Sequence, residues 1–222
     1  MSIAPIRTRP ERVYATPTEL YDPSGNHVPF ILDNLFRNPS SREAKTVLDA
    51  ITRFGAESGM FSQVRLRKLG SKVGDPFQLM VAIGGKERNL IDVGYGVSQA
   101  LPIIIQTALS NTRDTVLIQQ PEVHLHPRAQ AALGDFFTRL IHGGRRRLVI
   151  ETHSDYIIDR IRSAVASGLP RESVKIIFLE RKKLDSVPHV IDLDGQGNVT
   201  DAPSSYRSFF LEEQRRVLTR GA

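Results

Sequence analysis

The chain has 222 residues, of which 40% are hydrophobic and 24% are charged, and it contains no cysteine. These values predict a globular protein with a real core, and the missing cysteines exclude disulfides and zinc–thiolate sites and favour a cytoplasmic location. No apolar run approaches the roughly 18 residues of a membrane span, and no secretory signal is present. The net charge of +6 is scattered along the chain, so solvated surface charge is favoured over a nucleic-acid partner, which stays an open alternative.

The N-terminal segment, residues 1–74, is rich in proline and polar turn formers before residue 40. This composition predicts mostly irregular structure, with a short helix near Ile31–Phe36. A clear helix follows, because the sequence around Ser41 has the character of a helix start and apolar residues then recur at helical spacing. Gly55 and Gly59 are predicted to end this helix.

From residue 75 to about 200 the pattern changes to strands that alternate with helices, and residues 201–222 form a tail. Alternation of this kind predicts an α/β fold with a mostly parallel sheet and helices on both faces. The predicted elements are a hairpin of Phe77–Ile83 and Asn89–Val93, a helix at Val97–Ser110, a strand at Thr115–Ile118, a helix from Pro127, a strand at Arg147–Ile150, a helix capped by Ser154, strands at Val174–Leu179 and Val187–Asp192, and a tail helix at Tyr206–Thr219.

The first functional candidate is the segment Gly94-Tyr95-Gly96-Val97-Ser98-Gln99, which follows a strand and opens a helix. Glycines let a backbone approach a ligand closely, and the amides of a helix N-terminus together with a serine hydroxyl bind anions. A tight strand-to-helix turn without a ligand is the alternative explanation. This segment alone therefore does not decide the function.

Three further polar segments lie at the predicted ends of strands. Gln119-Gln120-Pro121-Glu122 follows one apolar strand, His124-Leu125-His126-Pro127 comes directly after it, and Glu151-Thr152-His153-Ser154-Asp155 ends the next strand. Open α/β sheets place their ligands at the carboxyl ends of strands. Each segment alone fits a turn or a helix cap, but the three in this order predict one shared site.

The order of these segments resembles the C-terminal half of ABC-class ATPases: a glycine-rich signature turn, a Walker B-like strand, an HLHP turn and a THSD switch. The similarity is greatest to the predicted AAA-family ATPases grouped with SMC-like and overcoming-lysogenization-defect proteins. Their PExHLHP and ETHSD segments match Pro121–Pro127 and Glu151–Asp155. The resemblance implies a three-layer, P-loop NTPase-like lobe that hydrolyses ATP with Mg²⁺ at a dimer interface. Roles in DNA transactions and phage defence are implied only by analogy.

The same resemblance implies a role for each matching residue. Gln119 would occupy the place of the acidic Mg²⁺ ligand, and Gln120 that of the catalytic glutamate. His124 and His126 would lie in a loop that contacts the other subunit, and His153 would sense the γ-phosphate. Contacts to the γ-phosphate of a nucleotide held by an opposing subunit would come from Gly94, Gly96, Val97, Ser98 and Gln99.

The chain departs from the family pattern at the Walker B position. A carboxylate there normally holds Mg²⁺, and a second one positions the attacking water. Gln119 and Gln120 are neutral amides, which orient water but cannot act as a general base, and loss of such a base costs about 10²–10⁴ in rate. Glu122 is the nearest carboxylate, so it is expected to position water together with Gln120.

The larger departure is the absence of a P-loop. The only Gly-Lys pair, Gly85-Lys86, is followed by Glu87 and lies in the predicted hairpin turn. In the resembled fold the P-loop strand lies between the two strands predicted here at Arg147–Ile150 and Val174–Leu179. We therefore expect either that a separate lobe or a partner chain with a P-loop completes the sheet, or that these two strands pair directly.

Two other functions remain open at this point. A catalytically degenerate, ATPase-like subunit would serve as an interaction scaffold, which the missing P-loop and Gln119 favour. A metal-dependent hydrolase would use imidazole and carboxylate ligands from neighbouring strand ends. Its candidate ligands are His124, His126, His153, Asp155 and Glu122. The expected assembly is a homodimer or a complex with a P-loop-bearing chain.

Overall fold

The computed structural model describes residues 1–15, 20–111, 113–142 and 146–208, together with residues 212, 215 and 216. The chain divides into two compact units, residues 1–161 and 162–222. The α/β fold class is confirmed, and the boundaries predicted at residues 74 and 200 remain predictions about domain organisation. Among the described residues, no helix is long and apolar enough to cross a lipid bilayer.

The first unit contains two sheets and the helices that pack around them, and its last helix continues past residue 161. The N-terminal segment contributes two of these helices and the strands β1 and β2, and both strands are absent from the elements predicted by sequence. The elements are β1 (Ser2–Ile3), α1 (Val28–Arg37), α2 (Arg42–Ser58), β2 (Gln63–Lys68), β3 (Phe77–Ile83), β4 (Lys86–Asn89), α3 (Tyr95–Leu109), β5 (Thr115–Gln119), α4 (Pro127–Ile141), β6 (Arg147–Glu151) and α5 (Asp155–Ala166).

Helix α2 begins where the local sequence predicts. The hydroxyl of Ser41 accepts a hydrogen bond from the Ala44 amide at 3.1 Å, so Ser41 is the N-cap. Gly59 ends the helix with a left-handed φ of 73°. Gly55, also predicted to end the helix, lies inside it, where it allows a close approach: a β-carbon there would be 2.5 Å from the Phe61 ring. Helix α2 packs against both α3 and α4 around the core.

Strands β2, β3 and β4 form an antiparallel sheet. The predicted hairpin is present, but the prediction of its second strand at Asn89–Val93 is wrong. The strand β4 ends at Asn89, because the Asn89 side chain accepts a hydrogen bond from the Ile91 amide and starts a 3₁₀ turn. Gly85-Lys86 lies at the β3–β4 turn and not between a strand and a helix, so it is not a P-loop.

Strands β1, β5 and β6 form the parallel sheet in that order. One face of this sheet is part of the core, with Val116 and Ile118 buried, whereas Leu117 and Val149 on the other face are 46% and 57% exposed. Among the described residues, β6 pairs only with β5. Parallel sheets are normally covered on both faces. Within the described ranges one edge of β6 is thus unpaired, and one face of the sheet is partly bare.

The second unit contains an antiparallel sheet of β7 (Ile176–Lys182), β8 (Asp185–Leu193) and β9 (Val199–Thr200). The two strands predicted in this part of the chain correspond to β7 and β8. Within the described ranges β7 pairs with β8, and the expected alternative in which Arg147–Ile150 and Val174–Leu179 pair directly stays a prediction. Most of the predicted tail helix, Tyr206–Thr219, falls outside the described residues.

Candidate functional site

The glycine-rich segment forms the first turns of α3. Gly94 is the exposed N-cap, and the four residues Gly96 to Gln99 are buried. The Ser98 hydroxyl donates to the Tyr95 carbonyl oxygen at 2.7 Å, so it is engaged within the helix. The predicted contact of this segment with nucleotide stays a prediction. It would involve the exposed start of the helix.

A buried arginine lies beside the α3 segment. The Gln99 carboxamide accepts a hydrogen bond from the Arg7 amide at 3.3 Å and donates one to the Arg7 carbonyl oxygen at 3.4 Å. Arg7 is 1% exposed, and its Nη1 donates to the Ala4 carbonyl oxygen, while Nε and Nη2 have no partner among the described residues. Burial lowers the pKa of Arg7 to about 10, and the charge of Glu122 opposes this shift. Arg7 thus remains a buried cation at neutral pH.

The start of α3 touches the loop that follows β5. A β-carbon at Gly96 would lie 2.6 Å from the His124 carbonyl oxygen, so only glycine fits this approach. The Tyr95 ring meets the His124 ring edge to face, with their centres 4.7 Å apart. His124 has a positive φ of 65°, a conformation that is uncommon for residues other than glycine. The signature-like segment and the HLHP loop are therefore packed together within one chain.

Gln119 and Gln120 lie at the end of β5, as predicted. Gln119 is exposed, and its Nε2 donates to Glu151 Oε2 at 3.4 Å. The Gln120 amide donates to the Glu151 carbonyl oxygen at 2.8 Å, and Gln120 has a positive φ of 42°. Directly after the strand, Gln120 thus has an unusual conformation, two residues before Glu122. Backbone strain of this kind clusters at functional sites.

Glu122 joins the two loops at the ends of β5 and β6. One carboxylate oxygen accepts from the Thr152 hydroxyl at 2.7 Å, and the other accepts from the His153 amide at 2.6 Å. Both bonds end on a charged acceptor, which makes them stronger than bonds between neutral groups. Glu122 is half-buried. The carboxylate predicted to position water thus also fixes the backbone that carries His153.

Gln130 continues this network, although no sequence motif points to it. Its Nε2 donates to the Leu125 carbonyl oxygen at 2.8 Å, and its Oε1 accepts from the Ser154 hydroxyl at 2.6 Å. Ser154 also accepts from the Ile157 amide at 3.2 Å, so it caps α5 as predicted. Gln130 lies on the first turn of α4, and only the fold brings it to both loops.

The histidines predicted as metal ligands have separate surroundings. His126 caps α4, because its Nδ1 accepts from the Ala129 amide at 3.3 Å. His124 packs edge to face with Tyr95, and the side chain of His153 is exposed at the end of β6. Among the described residues, no three histidine, cysteine, aspartate or glutamate side chains are grouped as metal ligands. The metal-dependent hydrolase stays an untested alternative prediction.

Comparisons with solved structures identify the fold. The crystal structure of an Smc head domain from Pyrococcus furiosus, bound to the C-terminal domain of ScpA, matches with a TM-score of 0.51 and 12% identity over 87% of this chain and 44% of that chain. An SmcHead bound to the C-winged helix domain of ScpA matches with a TM-score of 0.52 and 12% identity over 74% of this chain and 50% of that chain. The chain thus spans half or less of these two structures.

Sequence comparison identifies the family. No curated protein matches the chain. The family described as "AAA domain, putative AbiEii toxin, Type IV TA system" matches residues 15–159, which is more than half of the chain and includes all four segments of the site. The chain therefore belongs to this AAA-domain family, and it has the ABC-class, SMC-like ATPase fold.

Proposed function

We propose that this chain supplies the signature, Walker B-like and switch segments of an ATPase site whose P-loop lies on polypeptide outside this sequence. The observation that carries the proposal is the position of Glu122. Its carboxylate binds both Thr152 and the His153 amide, and so holds the two loops together at the carboxyl ends of parallel strands. This is the place where α/β sheets bind their ligands.

The open edge of β6 supports a partner for the sheet. A strand that carries a P-loop would pair with β6, and the helix that follows it would cover the exposed side chains Leu117 and Val149. Unpaired edges and bare apolar faces favour association with further polypeptide. The added strand would place its phosphate-binding loop beside the ends of β5 and β6.

The residues at these strand ends fit water positioning better than proton abstraction. Gln120 can orient the attacking water with its carboxamide, and Glu122 is the carboxylate closest to it in the chain. His153 is exposed and follows the amide held by Glu122, so its imidazole is accessible to a γ-phosphate. These three residues are the proposed catalytic set.

Mg²⁺ is implied by the ATPase family, and the residues present can accommodate it. The Gln119 carboxamide oxygen is one potential ligand, and Mg²⁺ bound with a nucleotide needs only one or two protein ligands because water and phosphates supply the others. When bound, Mg²⁺ neutralises charge that develops on the γ-phosphate. The side chain of Gln119 is weaker in this role than a carboxylate, because it carries no charge.

A second copy of the chain is the proposed source of the signature contact. The exposed N-cap Gly94 and the start of α3 present helix N-terminal amides, which attract anions. His124 packs against Tyr95 at this helix start, and both His124 and His126 are exposed, which supports a contact of these histidines with the opposing subunit. The nucleotide would then lie between the P-loop of one subunit and α3 of the other.

The test compares ATP binding and turnover by the chain alone and by the chain mixed with a P-loop-bearing polypeptide encoded by the neighbouring upstream reading frame. We expect turnover only in the mixture, and its loss when His153 is replaced by alanine. His142→Ala is the matched control, because His142 is an exposed histidine at the end of α4, away from both loops. Turnover by the isolated chain that depends on His153 would refute the need for a second polypeptide.

The scaffold function is the second candidate, and the neutral pair Gln119 and Gln120 favours it. A scaffold would bind the same partner without turnover. If the mixture forms a stable complex, binds ATP and yet hydrolyses none, the chain is an ATPase-like interaction subunit and the proposed catalytic set is wrong.

A further inference from the structure

Position 119 lacks a carboxylate, but the residue beside it on the neighbouring strand carries one. Strands β5 and β6 are parallel, with Gln119 directly opposite Glu151 in the register. Side chains of paired residues project from the same face of a sheet. The Gln119 carboxamide accordingly reaches the Glu151 carboxylate, with Nε2 and Oε2 3.4 Å apart. The Glu151 carboxylate therefore lies beside position 119, where the resembled family carries an acidic residue.

The Glu151 carboxylate is available for a new ligand. Its separation from Gln119 exceeds the usual 2.7–3.2 Å of an N–H···O hydrogen bond, so the amide holds it weakly. Among the described residues Glu151 forms no salt bridge, and it is exposed. The carboxylate of Glu122, in contrast, is held on both oxygens at 2.7 and 2.6 Å. Of the two carboxylates at these strand ends, Glu151 is the less engaged, because Glu122 already accepts a short hydrogen bond on each oxygen.

We propose that Glu151 supplies from β6 the carboxylate that holds Mg²⁺, or a water of its hydration shell, at the end of β5. The Gln119 carboxamide would turn its oxygen toward the cation and release Glu151 Oε2 from Nε2. The pair then offers one charged and one neutral oxygen, which suits a cation that binds through one or two protein ligands, water and phosphate. The inference rests on the proposed function, because the phosphates of a bound nucleotide would supply further ligands to the cation.

The two glutamates then have separate roles. Glu122 fixes the loops and positions water, whereas Glu151 holds the cation. A substitution of Glu151 should therefore change cation binding and leave the Glu122 network intact. This separates the proposal from a merely structural role, which would alter folding and cation binding together.

The first test needs neither nucleotide nor partner. Mn²⁺ is titrated into the full chain, and paramagnetic broadening of backbone amide signals is recorded by NMR. We expect the amides of residues 119–122 and 151–153 to broaden, and Glu151→Gln to remove this effect. Glu43→Gln is the matched control, because Glu43 is an exposed glutamate in the first turn of α2. Unchanged broadening in Glu151→Gln overturns the proposal.

The second test exchanges the two side chains. Gln119→Glu with Glu151→Gln moves the carboxylate back to β5 and should restore Mn²⁺ broadening, while Gln119→Glu alone should strengthen it. In the mixture with the P-loop polypeptide, Glu151→Gln should lower ATP turnover by about 10–100-fold, and the exchange should recover most of it. If the unsubstituted mixture shows no turnover, the proposed function fails, but the Mn²⁺ result still decides the role of Glu151.

Discussion

The α-carbon of Gly96 lies so close to His124 that a β-carbon at position 96 would be 2.6 Å from the His124 carbonyl oxygen. This approach brings the first turn of α3 against the loop after β5, and the same β-carbon would be 3.0 Å from Met60 Cε. A change in the position of one segment must therefore move the other. In a site that closes over a nucleotide, such a contact would couple the position of the loop to the position of the helix.

Gly96→Ala is expected to lower the free energy of unfolding by about 1–3 kcal/mol, because backbone atoms cannot move aside as a flexible side chain can. Urea unfolding measures the change. Gly94→Ala is the control, since a β-carbon at position 94 would have nothing within 4 Å, and we expect a loss of less than about 1 kcal/mol there. Equal losses at the two positions would mean that the close approach is not what requires Gly96.

Glu122→Gln keeps the size of the side chain but removes its charge and places an NH₂ group against one donor. The Thr152 hydroxyl can reverse its role, whereas the His153 amide cannot. We expect a loss of about 1–3 kcal/mol in the free energy of unfolding, because the two bonds lose their charged acceptor. Glu122→Ala removes both acceptor oxygens and should also speed hydrogen exchange of the His153 amide. Normal exchange protection at residue 153 in Glu122→Ala would contradict the assigned hydrogen bond.

Burial lowers the pKa of both Arg7 and Arg146. Replacement by methionine should nevertheless change the free energy of unfolding differently at the two positions. The Nε and Nη2 atoms of Arg7 have no acceptor among the described residues, whereas those of Arg146 bind the carbonyl oxygens of Ser110 and Ala108. Arg7→Met should leave stability unchanged or raise it by up to about 4 kcal/mol, because it removes an incompletely paired buried charge. Arg146→Met should cost about 1–3 kcal/mol. Urea unfolding of both variants measures the difference, and a large loss for Arg7→Met would contradict the expected cost of burying this cation.

Glu180 in the second unit should titrate at unusually low pH. Its pKa is lowered from 4.5 to about 2, first by the hydrogen bond from the Ser205 hydroxyl and then by Lys182 and His189. Because the folded-state pKa is depressed, the stabilisation is present above about pH 4.5 and is lost as the pH falls toward 2. Carboxyl ¹³C NMR should show the low midpoint, and Ser205→Ala should move it upward. An unchanged midpoint in that variant would rule out the hydroxyl as the main cause.

Val149→Lys probes the bare face of the parallel sheet. Val149 is 57% exposed, so the free energy of unfolding should change by no more than about 0.5 kcal/mol. Binding to the P-loop polypeptide should weaken by about tenfold or more, because the complex would bury the new charge. Val116→Lys is the contrasting variant: Val116 lies fully buried on the opposite face, and this change should prevent folding. Undiminished partner binding by Val149→Lys would show that this face is not the docking surface.

Much of the fold follows from local sequence patterns. The Ser41 and Ser154 caps, the strand that ends at Gln119 and the strand after residue 146 are all where those patterns predict. The second strand of the hairpin is misplaced, because Asn89 bonds to the backbone two residues ahead and ends β4. A prediction from strand propensity does not detect a side chain that competes with strand pairing in this way.

The candidate site is predictable only in part. The motif residues Gln119, Glu122 and His153 can be recognised in the chain, but the partners of Glu122 are 30 and 31 residues away. Gln130 has no motif of its own, and its two contacts depend on how α4 is placed against both loops. Contacts between distant residues are set by packing, which a linear pattern does not contain.

The order of the four segments, the neutral pair Gln119 and Gln120, and the absence of a P-loop can all be established from residue identity and spacing. Three other properties emerge only once the chain is folded: the requirement for glycine at position 96, the burial of the Arg7 cation, and the position of Glu151 opposite Gln119. A motif is a local property of the chain, whereas an open sheet edge and a free carboxylate depend on which distant groups packing brings near. Among the described residues, packing leaves one edge of β6 unpaired, beside the strand ends that carry these segments.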